Sequence, residues 1–296
     1  MAKNIFITGA TGRIGRHLIK SLLSAGNSLF LLEKPADNSV KNKSMHYILG
    51  DLLDPDSYKQ VFKEGIDCLL HMAAVTHTND INKYYAVNTD ATLHLVRLCG
   101  NFGVKRFIFI STRALAESAG DYSRSKMLAE RFIRESSLDW IILRLSEVYG
   151  SSTDKGITLI LNHIGKLPFI PIIGRGDYSV APVHISDVIF AITKVIEDDT
   201  LRNKIYTIAG PLSFKYNDFI DNVLAIRKLR KRKLYIPESV AKICLGLSAL
   251  LFKDKFFVKD QLPRLLCEKS YDISEAEKDF GFHPISIEEA VLKNDK

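Results

Sequence analysis

The sequence predicts an α/β fold with a doubly wound parallel sheet and a smaller C-terminal lobe. Short apolar runs typical of strands alternate with amphipathic helical segments through residues 1–150, which is the pattern of a parallel sheet with helices on both faces. The first run, Asn4–Thr8, leads directly into a glycine-rich turn and a helical pattern. After Tyr149 and Gly150 the alternation loosens into loops rich in glycine and proline, which indicates a second, smaller unit.

The turn after the first strand carries the clearest functional signal. Gly9, Gly12 and Gly15 stand at three-residue spacing, and a helical pattern begins inside the glycine run. Glycine permits positive φ angles and lets a ligand approach the backbone, while the first N–H groups of a helix are unpaired and lie at the positive end of its dipole. The turn is therefore predicted to bind a pyrophosphate. The alternative is an ordinary tight turn that holds glycines.

The second strand, Ser28–Glu33, ends in an acid. Glu33 lies about 20 residues past the glycines, where a carboxylate reaches the hydroxyl groups of an adenosine ribose. That carboxylate would repel a 2′-phosphate, which favours NAD over NADP. Lys34 follows directly in the chain and leaves NADP open as the cofactor.

The remaining elements follow from the same two periodicities. Further strands are predicted at Met45–Leu49, Asp67–His71, Val104–Ile110, Trp140–Leu145, Val183–Ile185 and Lys204–Ala209. Further helices are predicted at Asp54–Glu64, Ile81–Gly100, Tyr122–Ser136 and Asp187–Glu197. We expect residues 1–150 to form a dinucleotide-binding domain to which 180–211 return. Residues 151–179 and 212–296 would form a smaller substrate-binding lobe over the carboxyl ends of the strands, where open α/β sheets bind ligands.

Tyr122 and Lys126 are candidates for acid–base chemistry. Of the eleven tyrosines, only Tyr122 has a lysine four positions on, so both side chains would share a helix face. An ammonium near a phenol stabilises the phenolate and lowers a pKa that is about 10 unperturbed. Tyr122 would then take a proton from a substrate hydroxyl while hydride leaves the same carbon, with Ser111 and Thr112 supplying hydroxyls nearby. A surface Tyr/Lys pair is the alternative.

The positive charge is concentrated in one segment. The net charge is +7, and Arg227–Lys233 carries six basic side chains in seven residues. A nucleic-acid-binding protein would spread this charge over a face with interleaved aromatic residues, so no nucleic-acid partner is predicted. The run is interpreted as a solvated helix end or loop, or as a contact for anionic lipid or a phosphate-bearing substrate.

Other features bear on location and metals. The four cysteines are widely spaced in apolar surroundings without a zinc-ligand pattern, so reduced core cysteines and no metal site are predicted; they are Cys68, Cys99, Cys244 and Cys267. The first strand begins at once, which leaves no room for a signal peptide. Val240–Phe252 is too short to span a bilayer but could lie on one. A cytoplasmic protein is expected, with peripheral membrane contact through this stretch and the basic run left open.

Several motifs occur together in a characteristic order. They are TGATGRIG at 8–15, HMAA at 71–74, VNT at 87–89, FIFIST at 107–112, YSRSK at 122–126, VYG at 148–150, VHISDV at 183–188 and DFGFHP at 279–284. As a set they resemble the extended short-chain dehydrogenase/reductase family, in its NAD-dependent epimerase/dehydratase branch. The resemblance covers nearly the whole chain. It implies a Rossmann-type fold and a nicotinamide cofactor, and it is much less specific for the substrate.

The resemblance implies a role for each matching residue. Cofactor contacts would come from Gly9, Thr11, Gly12, Arg13, Ile14, Gly15, Glu33, Asp51, Leu52, Ala73, Ala74, Asn88, Ser111, Tyr122 and Lys126. Tyr122 would be the acid/base and Thr112 would hold the substrate oxygen. Lys126 would bind the nicotinamide ribose and lower the pKa of Tyr122, whereas His71 would be structural. The family also suggests a homodimer through the helices at 81–100 and 122–136.

The implied activity is oxidation or reduction of a carbinol carbon on a nucleotide-diphosphate sugar, as an epimerase, dehydratase or reductase. Arg113 and Ala114 replace the acidic pair that follows the Ser/Thr in dehydratases, which argues against dehydration. The arginine expected before the VH motif is absent, and Glu147 replaces an asparagine, a poor neighbour for a diphosphate. Arg144, Arg175 or the basic run would have to compensate. The alternatives are a polyprenyl-linked or other lipid-like substrate, and a non-catalytic NAD(P)-binding subunit.

Overall fold

The computed structural model describes residues 2–33, 43–150, 157–243 and 260–294. A parallel sheet of seven strands lies at the centre. Its strands are β1 Asn4–Thr8, β2 Ser28–Glu33, β3 Met45–Leu49, β4 Cys68–His71, β5 Arg106–Thr112, β6 Asp139–Leu145 and β11 Lys204–Ile208. The other strands, in three two-stranded pairs, are β7 Val148–Tyr149, β8 Phe169–Ile173, β9 Ser179–Val180, β10 Val183–His184, β12 Phe214–Lys215 and β13 Arg232–Ile236.

The strand order places a crevice beside β1. In space the strands follow β11-β6-β5-β4-β1-β2-β3, and all neighbours pair parallel. The chain moves from β1 outward through β2 and β3, then returns to β4 on the other side of β1. Open α/β sheets bind ligands at such a reversal, outside the carboxyl ends of the strands. The Rossmann-type fold predicted from the sequence is confirmed.

Helices cover both faces of the sheet. They are α1 Arg13–Ser24, α2 Ile81–Tyr85, α3 Ala91–Phe102, α4 Gly120–Arg134, α5 Ile157–His163, α6 Ile185–Glu197, α7 Tyr216–Ile226, α8 Gln261–Leu266, α9 Ser274–Phe280 and α10 Ile287–Asn294. Leu18 of α1 and Val188 of α6 are fully buried on one face, as are Leu95 of α3 and Ile133 of α4 on the other. Burying each such side chain contributes about 1.5–3 kcal/mol, so the two layers hold the sheet rigid.

The C-terminal lobe has an apolar cluster of its own. Ile170 and Ile172 of β8 are fully buried against Phe219 and Val223 of α7. This cluster lies apart in sequence from the dinucleotide-binding half and supports the predicted division at 151–179 and 212–296, which stays a prediction.

The predicted helix from Asp54 to Glu64 is wrong in type. The segment forms two 3₁₀ helices, Pro55–Ser57 and Lys59–Glu64. The Asp54 carboxylate accepts a hydrogen bond from the Asp56 N–H at 3.2 Å, and the Ser57 hydroxyl donates to the Asp54 carbonyl at 2.6 Å. These local side-chain bonds compete with α-helical hydrogen bonding.

The strand that carries Ser111 and Thr112 starts later than predicted. Gly103 ends α3 with a φ of 74°, and the Val104 N–H bonds back to the Cys99 carbonyl at 3.0 Å. Val104 therefore belongs to the helix end, and β5 runs from Arg106 to Thr112. The hydroxyl residues are consequently part of the strand.

The basic run is neither a helix end nor a loop throughout, because Arg232 opens β13, which pairs with β8. Half of its cations hold the lobe together. Lys231 Nζ donates to the Gly165 and Leu167 carbonyls, each at 2.8 Å, Lys233 Nζ pairs with Asp221 at 2.6 Å, and Arg227 donates to the Leu161 carbonyl at 2.5 Å.

The cysteines and the apolar stretch are described in part. Cys68 and Cys99 are free and buried, as expected, whereas Cys267 is only partly buried and is not a core residue. Cys244 and most of Val240–Phe252 lie outside the described residues. In the ranges that the structure describes, no helix has both the length and the apolar character needed to cross a membrane.

Candidate active site

The first βα turn is built as a cradle. Gly9 has a φ of 77°, the Gly12 N–H donates to its carbonyl at 3.0 Å, and no side chain caps the N-terminus of α1. A Cβ on Gly9 would lie 2.6 Å from the Ala73 nitrogen, and one on Gly15 would overlap the Ala10 carbonyl. Only glycine fits these positions, and uncapped helix N–H groups suit an anion. The turn therefore fits the pyrophosphate of a dinucleotide.

The other residues of the glycine loop support the turn. The Thr11 carbonyl accepts a hydrogen bond from Arg16 Nε at 2.8 Å. Ile14 packs against the buried core of the sheet, and burial lowers the pKa of the Arg13 guanidinium.

A buried histidine fixes the next strand end against this turn. Thr8 and His71 are register partners on β1 and β4, and their side chains meet at 2.6 Å. The other ring nitrogen of His71 meets the Thr92 hydroxyl at 2.9 Å. Burial lowers the pKa of His71 to about 3, so the ring is neutral at physiological pH. This environment suits the structural role predicted for His71.

The two carboxylates predicted to contact the adenosine lie at one edge of the sheet. Glu33 ends β2, and its carbonyl accepts the Gly50 N–H at 3.1 Å, which brings Asp51 to the same sheet edge. The Asp51 carboxylate accepts the Leu53 N–H at 3.0 Å, while Leu52 is half buried against the core. Burial raises the pKa of the Glu33 carboxyl. Lys34 lies outside the described residues.

Asn88 acts on the loop that follows β4. It lies in a π-helical turn, Ala86–Asp90, which interrupts the predicted helix from 81 to 100; such turns are frequent at functional sites. Its side-chain amide makes two hydrogen bonds to the backbone of Val75. It accepts from the Val75 N–H at 2.8 Å and donates to the Val75 carbonyl at 3.0 Å. Asn88 therefore holds the loop that contains Ala73 and Ala74.

Thr112 and Tyr122 come together as predicted from the sequence. Tyr122 lies in the first turn of α4 and is buried, which raises the pKa of its phenol, and the Thr112 side chain beside it lowers that pKa. The Ser111 hydroxyl lies elsewhere and donates to Glu130 at 2.6 Å. Thr112 is thus the hydroxyl of this strand that accompanies the phenol.

The ammonium of Lys126 makes its contacts away from the Tyr122 phenol, and the role predicted for it stays a prediction. Its ammonium donates to the Ile110 carbonyl at 2.8 Å and lies 3.7 Å from the centre of the Phe109 ring. Burial lowers the pKa of Lys126 to about 7. The pKa of Tyr122 is raised by burial, opposed by Arg264 and then by the hydrogen bond with Thr112. The described contacts of the lysine are thus a backbone carbonyl and a ring face in the interior.

Arg264 and Asp260 were missed by sequence reasoning. The Arg264 guanidinium carbon lies 4.4 Å from the centre of the Tyr122 ring, and the Asp260 carboxylate accepts the Tyr122 N–H at 3.0 Å. Both come from the C-terminal lobe, far along the chain. No local spacing or periodicity in the sequence predicts such a contact.

The charges at the substrate end are mostly paired. Glu130 binds Arg144 at 2.6 Å, so Arg144 is not available to replace the missing arginine. Arg175 is exposed on the C-terminal lobe. Arg113, directly after Thr112, has a buried Nε without a hydrogen-bond partner among the described residues, so it is the better candidate to receive an anionic group.

Glu147 is also compensated. Its carboxylate lies 3.7 Å from Lys269 Nζ, accepts from the Tyr271 hydroxyl at 3.3 Å and accepts the Ala181 N–H at 3.3 Å. It therefore joins the C-terminal lobe to the sheet, and the charge that the sequence suggested would face a diphosphate is already neutralised. Within the described ranges no group of His, Cys, Asp and Glu side chains could hold a metal ion.

Comparison with known proteins places this geometry in context. A sequence profile of the NAD dependent epimerase/dehydratase family matches residues 5–209. The chain is 25% identical to a Dictyostelium discoideum sterol-4-alpha-carboxylate 3-dehydrogenase (decarboxylating), with 85% of each covered, and 23% identical to a Vibrio cholerae UDP-glucose 4-epimerase, with 96% and 92% covered. Among solved structures, Bordetella bronchiseptica WbmG in complex with NAD and UDP superposes with a TM-score of 0.76 at 18% identity, covering 99% of this chain and 93% of that one.

Proposed function

Since this chain belongs to the NAD-dependent epimerase/dehydratase family and is an NAD-dependent enzyme, we propose that it acts on a sugar carried by a nucleotide diphosphate. The reaction is oxidation or reduction of a carbinol carbon, as an epimerase or a keto-sugar reductase. The observation that carries the proposal is the buried phenol of Tyr122, with the Thr112 side chain beside it at the carboxyl end of β5.

The chain's own residues supply the proton chemistry. Thr112 orients the substrate hydroxyl toward Tyr122, and the phenolate of Tyr122 takes its proton as the carbinol is oxidised. In the reverse direction Tyr122 returns the proton to the carbonyl oxygen. When NAD is bound, it accepts or returns the hydride of that carbon. The glycine turn and Glu33 would hold its pyrophosphate and ribose.

The electrostatics of the site support an anionic substrate. Arg113 offers a buried N–H that lacks a partner among the described residues, and a buried donor without a partner costs about 1–3 kcal/mol. An anionic oxygen of the substrate would relieve that cost. Because Arg113 stands where dehydratases carry an acid, we do not propose dehydration.

The test is turnover with a panel of nucleotide sugars. The purified protein is incubated with UDP-, GDP- and dTDP-linked sugars in the presence of NAD, and with keto-sugars linked to the same nucleotides in the presence of NADH, and the products are identified by NMR. We expect an epimerised or reduced sugar from at least one of them. No turnover and no binding across the panel would overturn the proposal.

A second candidate, a lipid-like substrate at a membrane surface, is favoured by one surface. The outer face of β8 and β13 exposes Phe169 and Leu234, and Ile243 nearby in sequence is 62% exposed. The basic residues Lys228, Arg230 and Arg232 are exposed on the same segment, so apolar and cationic side chains lie together as on membrane-binding surfaces.

Co-sedimentation with vesicles separates the two candidates. Binding to phosphatidylglycerol but not phosphatidylcholine vesicles, lost when Lys228, Arg230 and Arg232 are changed to serine, would support the lipid substrate. The matched control removes three exposed basic residues elsewhere, Lys20, Lys63 and Lys105, and should keep binding. Indifference to lipid charge would count against it.

The remaining expectations on assembly and location are also proposals. We propose a homodimer through the helices at 81–100 and 122–136, and a cytoplasmic location. The molar mass in solution tests the first, and cell fractionation tests the second.

A further inference from the structure

The geometry points to Arg264 as a positioning residue for Tyr122, the cation that stabilises the phenolate and is brought to it by the C-terminal lobe. This inference rests on the proposed function, because it assigns a partner to the acid/base of that same site. It differs from the expectation drawn from the family resemblance, in which Lys126 has this part.

The position of Arg264 is fixed on two sides. Its guanidinium carbon lies 4.4 Å from the centre of the Tyr122 ring, and Nη1 donates to the Thr76 carbonyl at 2.9 Å. Thr76 belongs to the loop after β4 that Asn88 holds. The guanidinium thus spans the two walls of the site, one from β4 and one from α4, and its position over the phenol does not depend on a single contact.

The same segment fixes the helix that carries Tyr122. No residue of α4's own N-terminal turn caps the helix with its side chain, but Asp260 accepts the Tyr122 N–H at 3.0 Å. Asp260 also lies against Gly120, where a Cβ would approach its carboxylate to 2.7 Å and where φ is 87°. Asp260 is therefore an N-cap supplied from the lobe, of the kind that stabilises helices by about 1 kcal/mol.

The charges around the phenol favour Arg264 over other groups. Tyr84 packs edge-on to the Tyr122 ring at 5.9 Å and is neutral, and the Thr112 hydroxyl is also neutral. Lys126, on the same helix, faces Ile110 and Phe109 instead.

Two carboxylates, Asp260 and Asp121, and one further arginine, Arg124, lie at the end of α4 that carries Tyr122. The carboxylate of Asp260 is engaged by the α4 backbone, and Asp121 pairs with Arg124 at 3.3 Å on the outer side of the helix. An opposite charge within about 4–6 Å of an ionising group lowers the pKa of an acid by about 1–3, so the cation over the ring face is the main stabiliser of a Tyr122 phenolate.

The experiment measures the ionisation of Tyr122 itself and needs no substrate. All eleven tyrosines are replaced biosynthetically by 3-fluorotyrosine, whose phenol ionises at lower pH than tyrosine. The ¹⁹F resonance of residue 122 is assigned as the one missing in Tyr122→Phe. Its chemical shift is then followed against pH in the NAD-saturated protein.

Four variants are compared with the parent protein: Arg264→Met, Arg264→Lys, Lys126→Met and the control Arg124→Met. In Arg264→Met, which keeps the length of the side chain and removes its charge, we expect the titration midpoint of residue 122 to rise by about one pH unit. Arg264→Lys should restore most of the parent midpoint. The matched control, Arg124→Met, removes an exposed arginine two residues from Tyr122 and should leave the midpoint unchanged.

Two results would overturn the inference. One is an unchanged midpoint in Arg264→Met with the remaining ¹⁹F resonances of the folded protein intact. The other is a larger rise in Lys126→Met than in Arg264→Met, which would return the role to the lysine. If the sugar panel gives no turnover, the proposed function fails, but this titration still reports whether Arg264 acts on Tyr122.

Discussion

The two halves of the site are made in different ways. The cofactor half consists of backbone and glycines close together in sequence, from Gly9 to Gly15. The half toward the C-terminal lobe consists of side chains brought together from distant segments, such as Arg264 on Tyr122 and Lys269 on Glu147. A backbone cradle leaves a pattern in the sequence because only certain residues permit it. A side-chain contact between distant segments leaves none.

Replacing Gly9 with alanine should break the cofactor half. Its added Cβ would lie 2.6 Å from the Ala73 nitrogen, in a backbone with a φ of 77°. We expect NAD affinity, measured by calorimetry, to fall at least about tenfold. That change corresponds to a loss of roughly 1.4 kcal/mol in the free energy of NAD binding.

The matched control is Gly26→Ala. Gly26 has a φ of 82°, but nothing lies within 4 Å of a Cβ there. Both variants carry the left-handed strain of about 1–2 kcal/mol, so only Gly9→Ala should lose NAD. Equal NAD affinities in the two variants would show that the close approach to Ala73 has no part in binding.

Lys126 should give the stability a distinct pH dependence. Its pKa is lowered to about 7 in the fold, whereas an unfolded lysine has a pKa of about 10.4. Between these values the unfolded chain binds more protons, so the free energy of unfolding rises with pH, by about 2.3 kcal/mol from pH 7 to pH 9. Well below pH 7 Lys126 is protonated in both the folded and the unfolded state, so it no longer makes the free energy of unfolding depend on pH.

Urea unfolding of the parent protein and of Lys126→Met at pH 7 and pH 9 checks this. The parent should gain stability relative to the variant as the pH rises. The same change with pH in both proteins would mean that Lys126 keeps an ordinary pKa, and its place in the interior would need revision.

Lys269→Met should weaken the lobe half and spare the cofactor half. The Lys269 side chain is 3% exposed and lies 3.7 Å from Glu147. Leaving Glu147 without it should reduce the free energy of unfolding by about 1–2 kcal/mol, while NAD affinity stays constant.

The control for this variant is Lys194→Met. Lys194 pairs with Glu197 at 3.9 Å, but their side chains are 45% and 47% exposed, so the loss should stay below about 0.5 kcal/mol. Similar losses from Lys269 and Lys194 would contradict the idea that the buried pair holds the lobe.

The sequence predicted what local periodicity and backbone geometry determine. The strand ending in Glu33, the glycine turn and the pairing of Thr112 with Tyr122 follow from patterns within a few residues of each other. The prediction of an α-helix beginning at Asp54 was wrong because local hydrogen bonds of Asp54 and Ser57 favour 3₁₀ turns.

Long-range contacts account for the other differences. The basic run was misread because a strand partner, β8, lies elsewhere in the chain. Helical spacing places Lys126 on the same face as Tyr122 but does not say where its ammonium points, and in the structure it contacts Ile110 and Phe109. Arg264 carries no sequence signal that would connect it to Tyr122.

Single-turnover absorbance tests the acid–base role of Tyr122 most directly. The enzyme with bound NAD is mixed with a nucleotide sugar from the panel, and reduction of the cofactor is followed at the absorbance of NADH. The account predicts that Tyr122→Phe binds NAD normally but reacts about 10²–10⁴-fold more slowly. Tyr85→Phe, which removes a hydroxyl bonded to Asp121 at 3.0 Å, should react at the parent rate. Equal rates for Tyr122→Phe and the parent protein would contradict the account.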